Sequence, residues 1–203
     1  MPLSRRFFLA SSVATTAALA TTSRVLGAND RIGVAVIGVN GMGYAHVKTL
    51  TARKDIDFVA LCDVDPAALA KAAKTVTTGG KPEPKLIADF RKLLDDKSIS
   101  ALVIATPHHW HMPIGLRALA AGKDIYVEKP ASHVFREGRL MLGMAAKEKR
   151  VVQHGSQMRS SEVTAKAAEV LASGILGEIK MTKAWNCQRQ ENPKPIADTD
   201  APK

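Results

Sequence analysis

The chain has few aromatics, few cysteines, a deficit of acid and no long apolar run. Aromatics are 4% of its 203 residues, so the ring platforms on which nucleic-acid bases stack are scarce. Base outnumbers acid, 29 Lys and Arg against 19 Asp and Glu. The basic residues are scattered, and residues 1–28 hold three arginines and no acid, which leaves +7 on the remainder. That pattern argues against a nucleic-acid surface and makes an anionic cofactor the simpler partner. No apolar run reaches the ~18 residues that a stable membrane span requires. Cys62 lies in an apolar run expected to be a buried strand and Cys187 much further on, so two buried thiols are expected rather than a disulfide. His108, His109 and His111 crowd one segment, but no nearby Cys or acid completes a zinc set, and no metal site is expected. Internal repeats and extended low-complexity segments are absent as well.

The 46% hydrophobic content is enough for a sizeable core, and the length allows one to two domains. Arg31-Ile-Gly-Val-Ala-Val-Ile-Gly38 is nearly all apolar, as in a strand buried on both faces. It runs into Gly38-Val-Asn-Gly-Met-Gly43 and then a helical stretch to about Arg53. Dinucleotide sites use such a turn, because glycines let the backbone approach a pyrophosphate seated on a helix N-terminus. In the usual G-x-G-x-x-G spacing the middle glycine is here Asn40, with Gly41 beside it. Asn tolerates positive φ, so the turn remains feasible. A second strand, Asp57–Asp63, ends in an acid 20 residues beyond Gly43. At that spacing a carboxylate reaches a ribose 2′-OH and repels the extra phosphate of NADP. The alternative is that Asp63 or Asp65 caps the next helix, with Pro66 at its first position.

Further strands are expected at Ile99–Ala105, Ile125–Val127 and Val151–Gly155. Helices are expected from Asp89-Phe90 to about Asp95, from about Met112 to Ala121, and from Phe135 to Arg150. The alternation implies an α/β fold, a doubly wound parallel sheet. Its most informative segment is Ile125-Tyr-Val-Glu-Lys-Pro130. Pro130 has no N–H and ends strand pairing, which presents Glu128 and Lys129 side by side at a strand tip. Ligands of open parallel sheets bind outside that edge. The alternative is a solvated ion pair beside a turn.

In order, Ala35–Gly43, Cys62-Asp63, Ala105-Thr-Pro-His-His-Trp-His111, Ala121–Pro130 and Gly155-Ser-Gln-Met-Arg159 resemble the glucose–fructose oxidoreductase / inositol dehydrogenase / MocA oxidoreductases. The resemblance runs from about Asp30 to Asn186. It implies a Rossmann domain over 29–156 that binds NAD or NADP, with Asp63 favouring NAD, and the beginning of an α/β substrate domain over 157–203. Cofactor contacts are implied for Gly38, Asn40, Gly41, Met42, Gly43, Asp63, Thr106, Pro107, His108, His111, Glu128 and Lys129. Lys129 would stand near the reacting hydroxyl as the catalytic residue, and His111 near the nicotinamide ribose or the substrate. Glu128 would orient Lys129 or hold a ribose hydroxyl. The substrate would be a sugar or polyol, and a homo-oligomer is expected of the full-length protein.

Ser4-Arg-Arg-Phe-Phe-Leu precedes a mildly apolar stretch of small residues, so 1–28 resembles a twin-arginine export leader that would take a folded protein to the periplasm. Toward the other end, Glu162–Ala172 reads as an amphipathic helix and Glu178–Asn186 alternates as a strand does. The Asp-x-x-x-His segment that family members carry further on does not occur after residue 160, and the chain reads as the front part of a longer enzyme. The function expected of the complete enzyme is a nicotinamide-dependent sugar or polyol oxidoreductase; the alternatives are a redox-assisted glycoside hydrolase and a non-catalytic dinucleotide-binding module.

Overall fold

The computed structural model describes residues 31–185. The expected leader, Cys187 and residues 186–203 lie outside the described residues. Six strands form one parallel sheet: β1 (Ile32–Ile37), β2 (Ile56–Cys62), β3 (Lys85–Ile87), β4 (Ala101–Ile104), β5 (Asp124–Val127) and β6 (Val152–His154). Their order is β3-β2-β1-β4-β5-β6. The order reverses direction beside β1, which makes the β1–β4 edge the switch point where such sheets open a crevice.

Helices α1 (Gly41–Thr51), α2 (Pro66–Thr78), α3 (Arg91–Leu94), α4 (His108–Ala120), α5 (Phe135–Glu148) and α6 (Glu162–Ala172) follow the strands. Val34 and Val36 pack with Val47, Ala72 and Val76 on one side of the sheet. Ala35, Ile37, Leu102 and Ile104 pack with Ile114, Leu119 and Met141 on the other. Burial of both faces of β1 and β4 explains their unbroken apolar runs. Among the described residues, no helix is long and apolar enough to cross a membrane.

Several boundaries differ from expectation. Helix α4 starts at His108, a full turn before Met112. Pro107 occupies the N-cap, and Pro113 sits inside the helix. Helix α5 stops at Glu148, because Lys149 turns left-handed (φ 52°) and Arg150 N–H bonds back to Ala145 O at 3.0 Å. The short strand β3 has no counterpart among the expected strands. Residues 178–185 form no strand; alternation supplies a face, but a strand also needs a neighbour to bond with.

Candidate cofactor and active site

The turn after β1 is closed by backbone contacts that leave no room for side chains. Gly38 has φ 81°, its N–H bonds to Cys62 O at 2.8 Å, and an added Cβ would stand 2.7 Å from Ala105 O. A Cβ on Gly43 would stand 1.7 Å from Gly38 O. Gly41 has φ 47° and faces open space. Asn40 corrects the expectation of a left-handed residue: its φ is −100°, and its Oδ1 accepts the Gly41 N–H at 3.0 Å as the N-cap of α1. The left-handed work falls to Gly38 and Gly41, while Asn40 does what N-cap side chains do. Met42 is the next residue of α1 and is exposed. The N–H groups of this first turn have no helical acceptor and point out of the helix end.

Capping of α2 falls to Asp65, whose Oδ1 accepts the Ala67 N–H at 2.8 Å. Asp63 is thereby left at the tip of β2. Its Oδ2 takes the Val39 N–H at 2.8 Å and its Oδ1 the Asp65 N–H at 3.0 Å. Each oxygen keeps capacity for a second donor. Asp63, Val64, Phe90, Arg91, Thr106 and Trp110 line a cleft of about 640 Å³ beside the switch point. Arg91 is tied to Asp89, Nη2 to Oδ2 at 2.6 Å. The Arg91 side-chain and backbone hydrogen bonds hold the Asp89 carboxyl down at about 2. Cys62 lines the cleft too. Burial and the nearby Asp63 and Asp89 push its thiol up to about 12, so it stays protonated. Buried Thr106 Oγ1 has no hydrogen-bond partner among the described residues, which marks it for a ligand group.

At the tip of β5 the expected side-by-side pair is separated. Lys129 is exposed, and among the described residues no carboxylate pairs with its ammonium. Glu128 is 4% exposed and turns inward. Its Oε1 accepts Gln157 Nε2 at 2.7 Å, lies 2.8 Å from His46 Nε2, and is reached by Tyr126 OH at 3.4 Å. Its Oε2 accepts the Lys129 backbone N–H at 3.2 Å. Glu128 therefore tethers the Lys129 backbone, and its carboxylate faces protein groups. His111 also departs from expectation. It is 1% exposed, with Nε2 2.7 Å from Thr106 O and Nδ1 2.7 Å from Pro130 O. Both ring nitrogens face main-chain carbonyls of the turns after β4 and β5, and a neutral ring donates to one of the two, so the ring bridges those turns rather than facing solvent. The exposed neighbours Pro107 and His108 stand at the start of α4.

Residues 32–156 match the family described as "Oxidoreductase family, NAD-binding Rossmann fold", the Gfo/Idh/MocA group. The chain belongs to this family. A glycosyl hydrolase family 109 protein of Stenotrophomonas maltophilia (strain K279a) is 35% identical over 133 residues, which are 62% of this chain and 29% of that protein. Among solved structures, GenD2 from gentamicin A biosynthesis in complex with NAD is similar with a TM-score of 0.65 and 28% identity, over 75% of this chain and 42% of that one. The fold is also that of scyllo-inositol dehydrogenase from Lactobacillus casei with bound NAD(H) and scyllo-inositol, with a TM-score of 0.64 and 23% identity over 73% and 43% of the two chains. The chain spans less than half the length of each of these relatives.

The Gfo/Idh/MocA domain is NAD-binding, and the residues present fit a dinucleotide. A glycine turn packed too closely on Gly38 and Ala105 backbone for side chains at Gly38 or Gly43, a partly exposed acid at the tip of β2 and a hydroxyl at the tip of β4 with no partner among the described residues adjoin one crevice. Sequence reasoning missed His46, Tyr126 and Gln157. Tyr126 was accessible, since period-two alternation places it on the same face as Glu128. Gln157 sits in the Gly155–Arg159 segment, and Gly155 is itself informative: a Cβ there would lie 2.7 Å from Tyr126 OH and 3.2 Å from Glu128 Oε1. No local signal marks His46.

Burial alone would raise the Glu128 carboxyl, but the hydrogen bonds from His46, Gln157 and Lys129 N–H outweigh it and leave it below the ordinary 4.5. A carboxyl lowered on folding adds stability above its unfolded value and loses it as pH falls through the folded one. Glu128→Gln should therefore remove part of the acid-side loss. Denaturant titrations from pH 6 downward check this: the parent should lose stability more steeply than the variant below about pH 4.5, and parallel curves would contradict the ionised tether.

Proposed function

We propose that this chain supplies the cofactor-binding and lysine-bearing part of a nicotinamide-dependent oxidoreductase acting on a hydroxyl of a sugar or polyol. The observation that carries the reading is the convergence of the glycine turn, Asp63, Thr106 Oγ1 and exposed Lys129 at the same edge of β1, β2, β4 and β5. NAD, when bound, supplies the hydride acceptor or donor. The first turn of α1 receives the pyrophosphate, Asp63 accepts a ribose hydroxyl, and Thr106 Oγ1 supplies a further polar contact. Lys129 donates a hydrogen bond to the substrate hydroxyl, stabilises alkoxide character there or relays its proton.

Asp63 favours NAD over NADP, because its carboxylate bonds a free 2′-OH and repels a 2′-phosphate. Asp63→Ala should weaken NAD binding by about 1–3 kcal/mol, the worth of a charge-assisted hydrogen bond. Calorimetry with NAD and NADP checks it, and equal NAD affinity in variant and parent would remove the assignment.

A second reading is a redox-assisted glycoside hydrolase. It is favoured by the identity to a glycosyl hydrolase family 109 protein. Product analysis separates the two: a lasting ketose or lactone marks the oxidoreductase, and a released sugar without net oxidation marks the hydrolase. The Ser4-Arg-Arg-Phe-Phe-Leu series supports export to the periplasm by the twin-arginine route. Replacing Arg5 and Arg6 by Lys should retain the protein in the cytoplasm on cell fractionation, and unchanged export would rule that route out.

A further inference from the structure

Helix α1 carries two things on adjacent turns: the glycine-rich start at Gly41–Gly43 and, just beyond it, His46. The side chain of His46 is 20% exposed, and its Nε2 meets Glu128 Oε1 at 2.8 Å across a sequence separation of 82 residues. The Tyr126 ring packs edge-on against it, with centroids 5.0 Å apart and planes at 68°. Gln157, on the short 3-10 turn Gln157–Ser160, donates to the same oxygen. With Oε1 held by these groups, the carboxylate is oriented so that Oε2 accepts the Lys129 N–H. Rotation about the last side-chain bond of a glutamate is soft, so this orientation depends on the groups that hold Oε1. Gly155 completes the arrangement, because any side chain there would enter the space of Tyr126 OH and Glu128 Oε1.

We propose that His46 is a positioning residue for Lys129: through Glu128 it ties the helix that begins at the glycine turn to the backbone of the reactive turn. The consequence is mechanical coupling. The helix whose first turn receives the pyrophosphate is the helix that sets where the lysine stands, so cofactor seating and lysine placement share one rigid link. Tyr126 and Gln157 stiffen that link, and His111 holds the other side of the turn at Pro130 O. The functional weight of the link rests on the reading of Lys129 as the catalytic residue, but the link itself is measurable without turnover.

The test is amide exchange at Lys129, read by nuclear magnetic resonance on the full chain, in parent, His46→Phe and His46→Gln. Phenylalanine keeps the ring packing on Tyr126 and removes the hydrogen bond, whereas glutamine can restore a donor. In His46→Phe the Lys129 amide should exchange at least about tenfold faster, while the buried β4 amides of Leu102 and Ile104 keep their parental rates. In His46→Gln the Lys129 rate should return to within about threefold of the parent. Unchanged Lys129 exchange in His46→Phe would overturn the proposal. So would equal acceleration of Leu102 and Ile104, which would make His46 a general stabiliser, and so would failure of glutamine to restore the rate. The two readings fail separately: near-parental turnover of a Lys129→Ala enzyme removes the catalytic lysine and leaves these exchange rates untouched.

Discussion

Lys129→Ala should lower the turnover of a complete form of this enzyme by about 10²–10⁴-fold, the range for loss of a positioned acid/base or electrostatic stabiliser. The reason lies in how the residue is presented. Lys129 is exposed beyond the tip of β5, its ammonium paired with no carboxylate among the described residues, while its backbone is fixed by Glu128 Oε2 and the next carbonyl by His111. A free ammonium on a held backbone can meet a substrate hydroxyl at little entropic cost. NAD affinity should change much less, because the glycine turn and Asp63 are untouched. Steady-state kinetics with a responsive sugar or polyol, alongside calorimetry with NAD, checks both halves. Near-parental turnover would return Lys129 to the role of a solvated turn residue.

Gly43→Ala should unfold or loosen the cofactor turn. Its Cβ would stand 1.7 Å from Gly38 O and 2.8 Å from Gly38 C, both backbone atoms, and Gly38 is in turn pressed against Ala105. Overpacking ordinarily costs about 1–3 kcal/mol, and here no flexible side chain can yield. The expected loss is about 3 kcal/mol or more in chemical denaturation. NAD affinity should fall by at least about tenfold, because the first-turn N–H groups turn away from their target. Gly41→Ala provides the contrast. Space is open there, so only the left-handed backbone (φ 47°) resists, at about 1–2 kcal/mol. Equal stability of the Gly43→Ala and parent proteins would contradict the packing argument.

The strand–helix alternation, the glycine turn, the acid ending β2 and the break at Pro130 were all legible in the chain. Each is local: an apolar run buried on both faces, a residue type with a particular backbone freedom, or a missing N–H acts over a few residues wherever the segment sits. The choice between Asp63 and Asp65 as cap was also nearly local, yet only the fold assigned it. The direction of Glu128 and the purpose of His46, Gln157 and His111 were decided by tertiary structure alone. Strand alternation says that Glu128 and Lys129 face opposite ways, but not which way is inward. That depends on α1 and the segment after β6 arriving beside the tip of β5, over sequence separations of 82 and 29 residues. The family resemblance placed His111 near the nicotinamide ribose or the substrate. Its fate was set by two carbonyls, Thr106 O and Pro130 O, that parallel pairing of β4 with β5 brings within 2.7 Å of its ring. Side-chain partners across a sheet are set by strand order and register, and these follow from the packing of the whole domain rather than from any one segment of the chain.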